Sequence, residues 1–470
     1  MRAPLHFLLS LFILFLPLQT VYLLHEPIIG GEKWQYGTIG IYATDIVLIL
    51  LLLLYGRILF LRRTSQWFRR FFTVVSCSQS FLVLMLCLWV GLLVFWAPDK
   101  MLALYFFVKF LLAGGVFFVA RSLNQYEISR VIILLFGMAV CESLLGIGQF
   151  LSQSTFASTW LGMSGHEVWQ AGTSVLKNDT GRWLRAYGTF PHPNMLGGYL
   201  GAVLVLGIGQ TFLGLSEKKE RVFLLIGGVI ILLGLLITFS RLAWFGTVLG
   251  LLTLVVLCFW YVFTKRSAPY AGDIPRAHTF FLGMMGALGI AAIVFVGVLH
   301  ETVFPRFDGE IITHEGSASE RMQSFRDARE LMSQENIWFG VGGGNFTTAV
   351  KASNPERPIW SIQPAHNVPV LIFVELGIVG GILFFWLLLK TVWGSSIAIL
   401  KMSKLFRKQL LFMLAFAVLL PGFLLDHWLW SSHFGVFFGM FLLGCASQLE
   451  TTKDSSELTE SQRMTSCKSG

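Results

Sequence analysis

Four stretches of the sequence hold side chains suited to chemistry on a charged substrate, and each lies at the edge of an apolar run. The first, WLRAYGTFPHPNMLGGYL (183–200), sets Arg185, His192 and Asn194 just ahead of an apolar segment. Pro191 and Pro193 bracket His192 and are expected to keep it extended, because the residue before a proline is steered away from helical angles. The second, TFSRLAWFG (238–246), carries Arg241 between two apolar runs with almost no loop. An arginine in such a place costs on the order of several kcal/mol unless it snorkels or finds a partner. Arg241 therefore either reaches the outer interface or grips an anion, for which the guanidinium fork is suited.

The third stretch is SERMQSFRDARELM followed by WFGVGGGNF. Ser317 and Glu320 have capping-box spacing. Met322, Phe325, Leu331 and Met332 are expected on one face of the resulting helix, with Arg321, Arg326 and Arg329 on its polar side. The glycine-rich run 340–346 ends that helix, and its amides can cradle an anion. The alternative is an interfacial helix whose arginines meet lipid headgroups. The fourth stretch, PAHNVPVLIFVELGIVG (364–380), presents His366 and Asn367 where an apolar run begins. Histidine is the side chain that changes charge near neutral pH. Glu375 follows about two and a half helical turns later, and a carboxylate inside a span is a functional candidate. Plainer readings stand beside these: a Pro/Gly loop that opens a helix for Arg185 and His192, and a helix-start residue for His366.

These stretches must be positioned by membrane helices. Of 470 residues, 55% are hydrophobic and 13% charged, with 43 phenylalanines; soluble domains carry about 25% charged residues. About twelve apolar runs of spanning length are expected, near 5–24, 39–61, 72–96, 101–120, 131–152, 194–215, 222–239, 242–264, 279–299, 367–389, 410–429 and 433–449. The first is expected to remain as an uncleaved span, since no small-residue cleavage site follows it. The formal charge of +9 is mostly topological. Lys and Arg gather in 62–70, 217–221, 265–266 and 401–408, which places those loops and both termini on the cytoplasmic side of the inner membrane. Segments 152–193 and 300–366 then become long outer loops, a length that usually signals function. The expected organisation is a single all-α membrane domain over 1–449 and a polar, disordered cytoplasmic tail over 450–470. Six cysteines lie in apolar runs or the tail, and no disulfide is expected. No metal or ATP motif appears, so no metal and no cofactor is expected. Asp45, Lys109, Glu142, Asp426 and His427 are further polar residues in apolar runs, without a role that spacing assigns.

The stretches RAYGTFPHPNMLGGYL, TFSRLAWFG, ERMQSFRDARELMSQENIWFGVGGGNF and HNVPVLIFVELGIVG, in that order over about 183–380, resemble the O-antigen ligase and polymerase superfamily of bacterial membrane glycosyltransferases. The resemblance implies a C-type glycosyltransferase fold and a glycan donor on undecaprenyl diphosphate at the outer face. It implies transfer of that glycan to a hydroxyl acceptor, a glycan or lipid-linked sugar, during cell-surface polysaccharide or lipopolysaccharide assembly, without a metal. Position by position, it makes His366 the catalytic histidine, and Arg185, Arg241 and Arg321 the diphosphate-binding arginines. His192, Asn194, Asn367 and Glu375 are supporting candidates. The chemistry is coherent: fixed arginines stabilise a leaving diphosphate, and a histidine takes the acceptor's proton. Ligase and polymerase are not distinguished. The rival class is a secondary transporter or flippase for a polyprenyl-linked or small anionic substrate, whose site would lie near the bilayer midplane.

Overall fold

The computed structural model describes residues 2–29, 31–61, 78–178, 181–212, 218–264, 274–298, 315–334, 337–401 and 404–447. The basic segments 62–70 and 265–266, the whole tail 450–470 and the start of the second outer loop lie outside them. The chain is mostly helical: α1 (Arg2–Phe15), α2 (Ala43–Leu61), α3 (Ser78–Leu93), α4 (Lys100–Ser122), α5 (Gln125–Ser152), α6 (Pro193–Phe212), α7 (Lys218–Leu236), α8 (Arg241–Thr264) and α9 (Ile274–Val298). Then come α10 (Glu315–Gln334), α11 (Phe346–Ser353), α12 (Val368–Lys401), α13 (Lys404–Val418), α14 (Leu420–Leu425), α15 (Trp428–Ser431) and α16 (His433–Ala446). Among the described residues, four helical stretches are long and apolar enough to cross a membrane: Lys100–Ser122, Tyr126–Ser152, Phe281–Val298 and Val368–Gly394. Shorter apolar helices, such as Ser78–Leu93 and His433–Ala446, accompany them. This is a membrane protein.

Local chemistry sets the ends. Asp99 opens α4 by accepting from the amides of Met101 and Leu102. Asn124 and Glu127 form a reciprocal capping box at α5, closing two otherwise orphaned donors. Helix α1 stops at Phe15, two residues before Pro17, and Val21–His25 becomes a strand paired antiparallel with Ile39–Tyr42. The expected first span is thus shorter than 5–24, and among the described residues an otherwise helical chain carries four two-stranded ribbons. Two of them lie between α1 and α2 and two between α5 and α6, where β-branched and aromatic residues stand outside the apolar runs.

Helix α6 is the centre of the bundle. From Leu196 to Gln210 its side chains are essentially inaccessible, and it packs on α5, α7, α8 and α13. Glycines permit this closeness: a Cβ at Gly198 would meet the indole of Trp428 at 2.7 Å. Anything carried at the N-terminus of α6 therefore sits mid-rim, surrounded by other helix ends.

Helix α12 is broken. Gly377 takes φ 67°, ψ −175° inside it, a conformation that favours glycine. The break frees carbonyls that lipid cannot satisfy. The preceding segment 337–342 does so instead. Val341 N donates to Val374 O at 2.9 Å, and Gly342 N to Glu375 O at 2.8 Å. Ile378 N returns a bond to Ile337 O at 2.9 Å. The indole of Trp89 takes Leu376 O at 2.8 Å.

Candidate active site at the rim of α6, α12 and α14

Arg185 is buried, and its guanidinium ties three elements together. Nε donates to Thr238 O at 2.7 Å, in the turn before α8. Nη1 donates to Ser174 Oγ at 2.8 Å, and Nη2 to Asn194 Oδ1 at 2.8 Å. Because arginine only donates, that last bond fixes the amide orientation of Asn194. Its Nδ2 then donates to Asp426 Oδ2 at 2.9 Å. The other oxygen of Asp426 accepts from His427 N at 2.7 Å and faces His366 Nδ1 at 3.9 Å. A continuous series Arg185–Asn194–Asp426–His366 thus joins residues separated by up to 241 positions, of which Asn194 to Asp426 alone spans 232.

The backbone around the series is held firmly. Glu142 of α5 accepts from Thr189 N and Thr189 Oγ1, both at 2.8 Å. Gln149 Oε1 accepts from Tyr187 N and Gly188 N. Ala186 N donates to Ile237 O at 3.1 Å. The RAYGTFPHPN segment is therefore pinned from both sides. It bends through Pro191 and His192 rather than running extended, and Pro193 starts α6, the helical position at which a proline's missing N–H is least harmful. Asn367 caps α12 by accepting from Val370 N at 2.9 Å and donates to Leu424 O at 2.7 Å. That second bond locks the His366 corner to the end of α14, next to Asp426.

His366 Nε2 lies 3.3 Å from Gln363 Oε1. Its ring stands 4.9 Å, centroid to centroid, from that of His427, and His427 Nδ1 pairs with Ser431 Oγ at 2.6 Å. His192 is exposed, its Nδ1 accepts from Asn194 N at 3.1 Å, and it lies within electrostatic reach of Arg185, Asp426, His427 and His366. Tyr36, from the ribbon region between α1 and α2, covers the group edge-on to His427 at 6.1 Å.

Of the candidates from sequence, Arg185, His192, Asn194, Asn367 and His366 converge here. Arg241 is exposed at the first turn of α8, in the turn that Arg185 holds through Thr238. Arg321 is half-buried on α10. Glu375 is not part of the cluster. Its carboxylate accepts from Gly344 N at 3.0 Å, Phe346 N at 3.4 Å and the Trp430 indole at 2.7 Å. The glycine run does cradle an anion, but that anion is the protein's own. Helix α10 begins at Glu315, two residues before the expected cap. Its buried face is Ser324, Asp327, Ala328 and Leu331, with Met322 and Phe325 turned outward beside Arg326 and Arg329. The sequence reading put Met322 and Phe325 with Leu331. The ion pair of Asp327 with Arg357, at 2.7 Å, turns the helix instead, because the buried carboxylate must face its partner.

Asp426 and His427 are the members of this candidate site that spacing did not assign. The available signal was an adjacent acid and imidazole at the break between two apolar runs, five residues after Pro421. Together with His366 they place one ligand-type atom each within 4.8 Å of one another, a group for which the absence of a metal motif gave no warning.

Residues 226–385 match the family model described as O-antigen ligase. The chain carries an O-antigen ligase domain. The matched segment contains Arg241, Arg321 and His366, whereas Arg185, Asn194 and Asp426 are brought to it by the fold. No curated protein sequence matches the chain. The match covers about a third of the chain and supports a glycosyltransferase-type role in cell-surface polysaccharide assembly.

Proposed function

We propose that the protein transfers a glycan from undecaprenyl diphosphate to a hydroxyl acceptor at the outer face of the cytoplasmic membrane, without a metal in the transfer step. The observation that carries the reading is the series Arg185–Asn194–Asp426–His366, which ties an anion-binding arginine to a base-type histidine at one rim. Asp426, opposite Nδ1, favours the tautomer with the proton on Nδ1 and steadies the imidazolium that forms. Nε2 then takes the acceptor's proton, with Gln363 at the position the hydroxyl would occupy. The acceptor oxygen bonds to the donor's anomeric carbon as the bond from that carbon to the diphosphate breaks. The diphosphate leaves with the electron pair.

Arg241, exposed at a helix N-terminus, meets that growing charge, helped by the positive end of the α8 dipole. Arg185 adds its charge and fixes the turn that presents Arg241. Arg321 contributes from α10, while His192, Asn194 and Asn367 hold the rim together. Glu375 holds the glycine run and α15. The membrane domain over 1–449, its twelve spans with both termini inside and the cytoplasmic tail over 450–470 belong to the same proposal. The test is transfer in membranes carrying His366→Ala, Arg241→Ala or Arg185→Ala at equal expression, read as loss of lipid-linked donor and gain of acceptor-linked product. Undiminished transfer in all three sinks the reading, and movement of donor across vesicles without a new glycosidic bond favours the transporter.

A further inference from the structure

We propose that His366, Asp426 and His427 also form a binding site for a divalent transition cation of the Zn²⁺ type, and that the bound ion shuts transfer off. The second half rests on His366 being the base. Two imidazoles and one carboxylate are the borderline nitrogen and oxygen donors that such ions prefer, and they suit Mg²⁺ or Ca²⁺ poorly. The three ligand atoms lie within 4.8 Å of one another. The pair His366 Nδ1 and Asp426 Oδ1 stands at 3.9 Å, too long for a hydrogen bond yet close to the roughly 3.5 Å that separates two ligands on one tetrahedral ion with bonds of about 2.0–2.2 Å. Side-chain rotations of about 1 Å close the group onto an ion.

The surroundings match a metal site's outer partners. Metal-bound imidazoles usually engage their second nitrogen elsewhere, and ligating carboxylates are themselves hydrogen-bonded. Here His427 is held by Ser431 at 2.6 Å, Asp426 by Asn194 at 2.9 Å, and His366 Nε2 faces Gln363 Oε1 at 3.3 Å. Asp426 keeps lone pairs beyond those used by Asn194 and His427 N. Three protein ligands leave a fourth position for water, as in open zinc sites.

The link to function is the tautomer of one ring. Transfer needs the proton of His366 on Nδ1 and the lone pair on Nε2. An ion between Nδ1 and Asp426 needs the reverse, with the Nε2 proton donated to Gln363 Oε1. Metal and acceptor therefore exclude one another through a single imidazole.

The experiment uses the purified full-length chain in detergent, with Co²⁺ as the spectroscopic probe and Zn²⁺ as its competitor. The expected result is one Co²⁺ per chain in a tetrahedral ligand field, displaced by Zn²⁺ and bound at least tenfold more weakly by His427→Gln and Asp426→Asn. Transfer by the wild type in EDTA should fall at least tenfold on saturating Zn²⁺ and return with excess EDTA. For His427→Gln, normalised to its own activity in EDTA, the Zn²⁺ concentration for half-inhibition should rise at least tenfold. No Co²⁺ binding, or binding unchanged by both substitutions, overturns the site. Full transfer with Zn²⁺ bound overturns the inhibition. A His366→Ala chain that still transfers glycan defeats the functional reading on which inhibition rests, while the Co²⁺ spectrum reads the site independently.

Discussion

Two clusters in this protein pair a histidine with an aspartate at nearly the same separation. At the rim, His366 Nδ1 and Asp426 Oδ1 are 3.9 Å apart; inside the bundle, His433 Nδ1 and Asp45 Oδ1 are 3.8 Å apart. Their surroundings differ. Asp45 is paired with Lys109 of α4 and accepts from Tyr42 N at 2.8 Å. His433 is stacked under Tyr42 at 3.9 Å and bonded to Thr44 at 2.7 Å. Both side chains of the inner pair are 4% exposed, against 18% for His366 and 10% for Asp426. A nearby carboxylate does not by itself make an imidazole useful. Access, and the absence among the described residues of a full counter-charge like Lys109 on its carboxylate, separate the pair proposed as reactive from the inner one.

The largest expected break in that comparison is His366→Ala. Removing the base should lower transfer by about 10²–10⁴-fold, whereas His433→Ala should leave transfer by the folded protein within about tenfold; product formation at equal expression measures both. Equal losses in the two variants would erase the distinction. Next is Lys109→Met, which strands Asp45 and should destabilise the protein by about 3–5 kcal/mol, read by thermal unfolding in detergent. Adding Asp45→Asn should recover most of that loss, since the unpaired charge goes with it. Asn194→Ala cuts the series between Arg185 and Asp426, for which the inner pair has no counterpart; transfer should drop about 10–100-fold, the usual range for a residue that orients a reacting one. The smallest effect is expected from Trp430→Phe, which removes one donor from buried Glu375. It should destabilise by about 1–3 kcal/mol, with transfer per folded molecule close to wild type.

Much of this organisation was legible in the sequence. Apolar runs mark where α4, α5 and α16 lie, because their length and composition leave few alternatives, and the motifs holding Arg185, Asn194, Asn367 and His366 meet as their order suggested. Asp426 was visible as a residue but not as a partner. Its place depends on α13 packing beside α6 and α14 on α8, contacts without a local signature. Glu375 misled for the opposite reason. A carboxylate in a span looks functional until its three donors are located, and those come from the glycine run and from Trp430. Helix α10 shows the limit of periodicity. Its apolar stripe predicted a buried face that one ion pair, Asp327 with Arg357, rotates away.

The interruption of α12 at Gly377 has a consequence for how the chain is made. A span with open carbonyls at Val374, Glu375 and Leu376 enters hydrocarbon poorly alone. The segment that closes the first two, 337–342, precedes α12 in the chain and so leaves the ribosome first, as does Trp89, which closes the third. The partners of the broken helix already exist when it is inserted. Biogenesis therefore has a built-in order, in which the glycine run must be translated ahead of the span it completes.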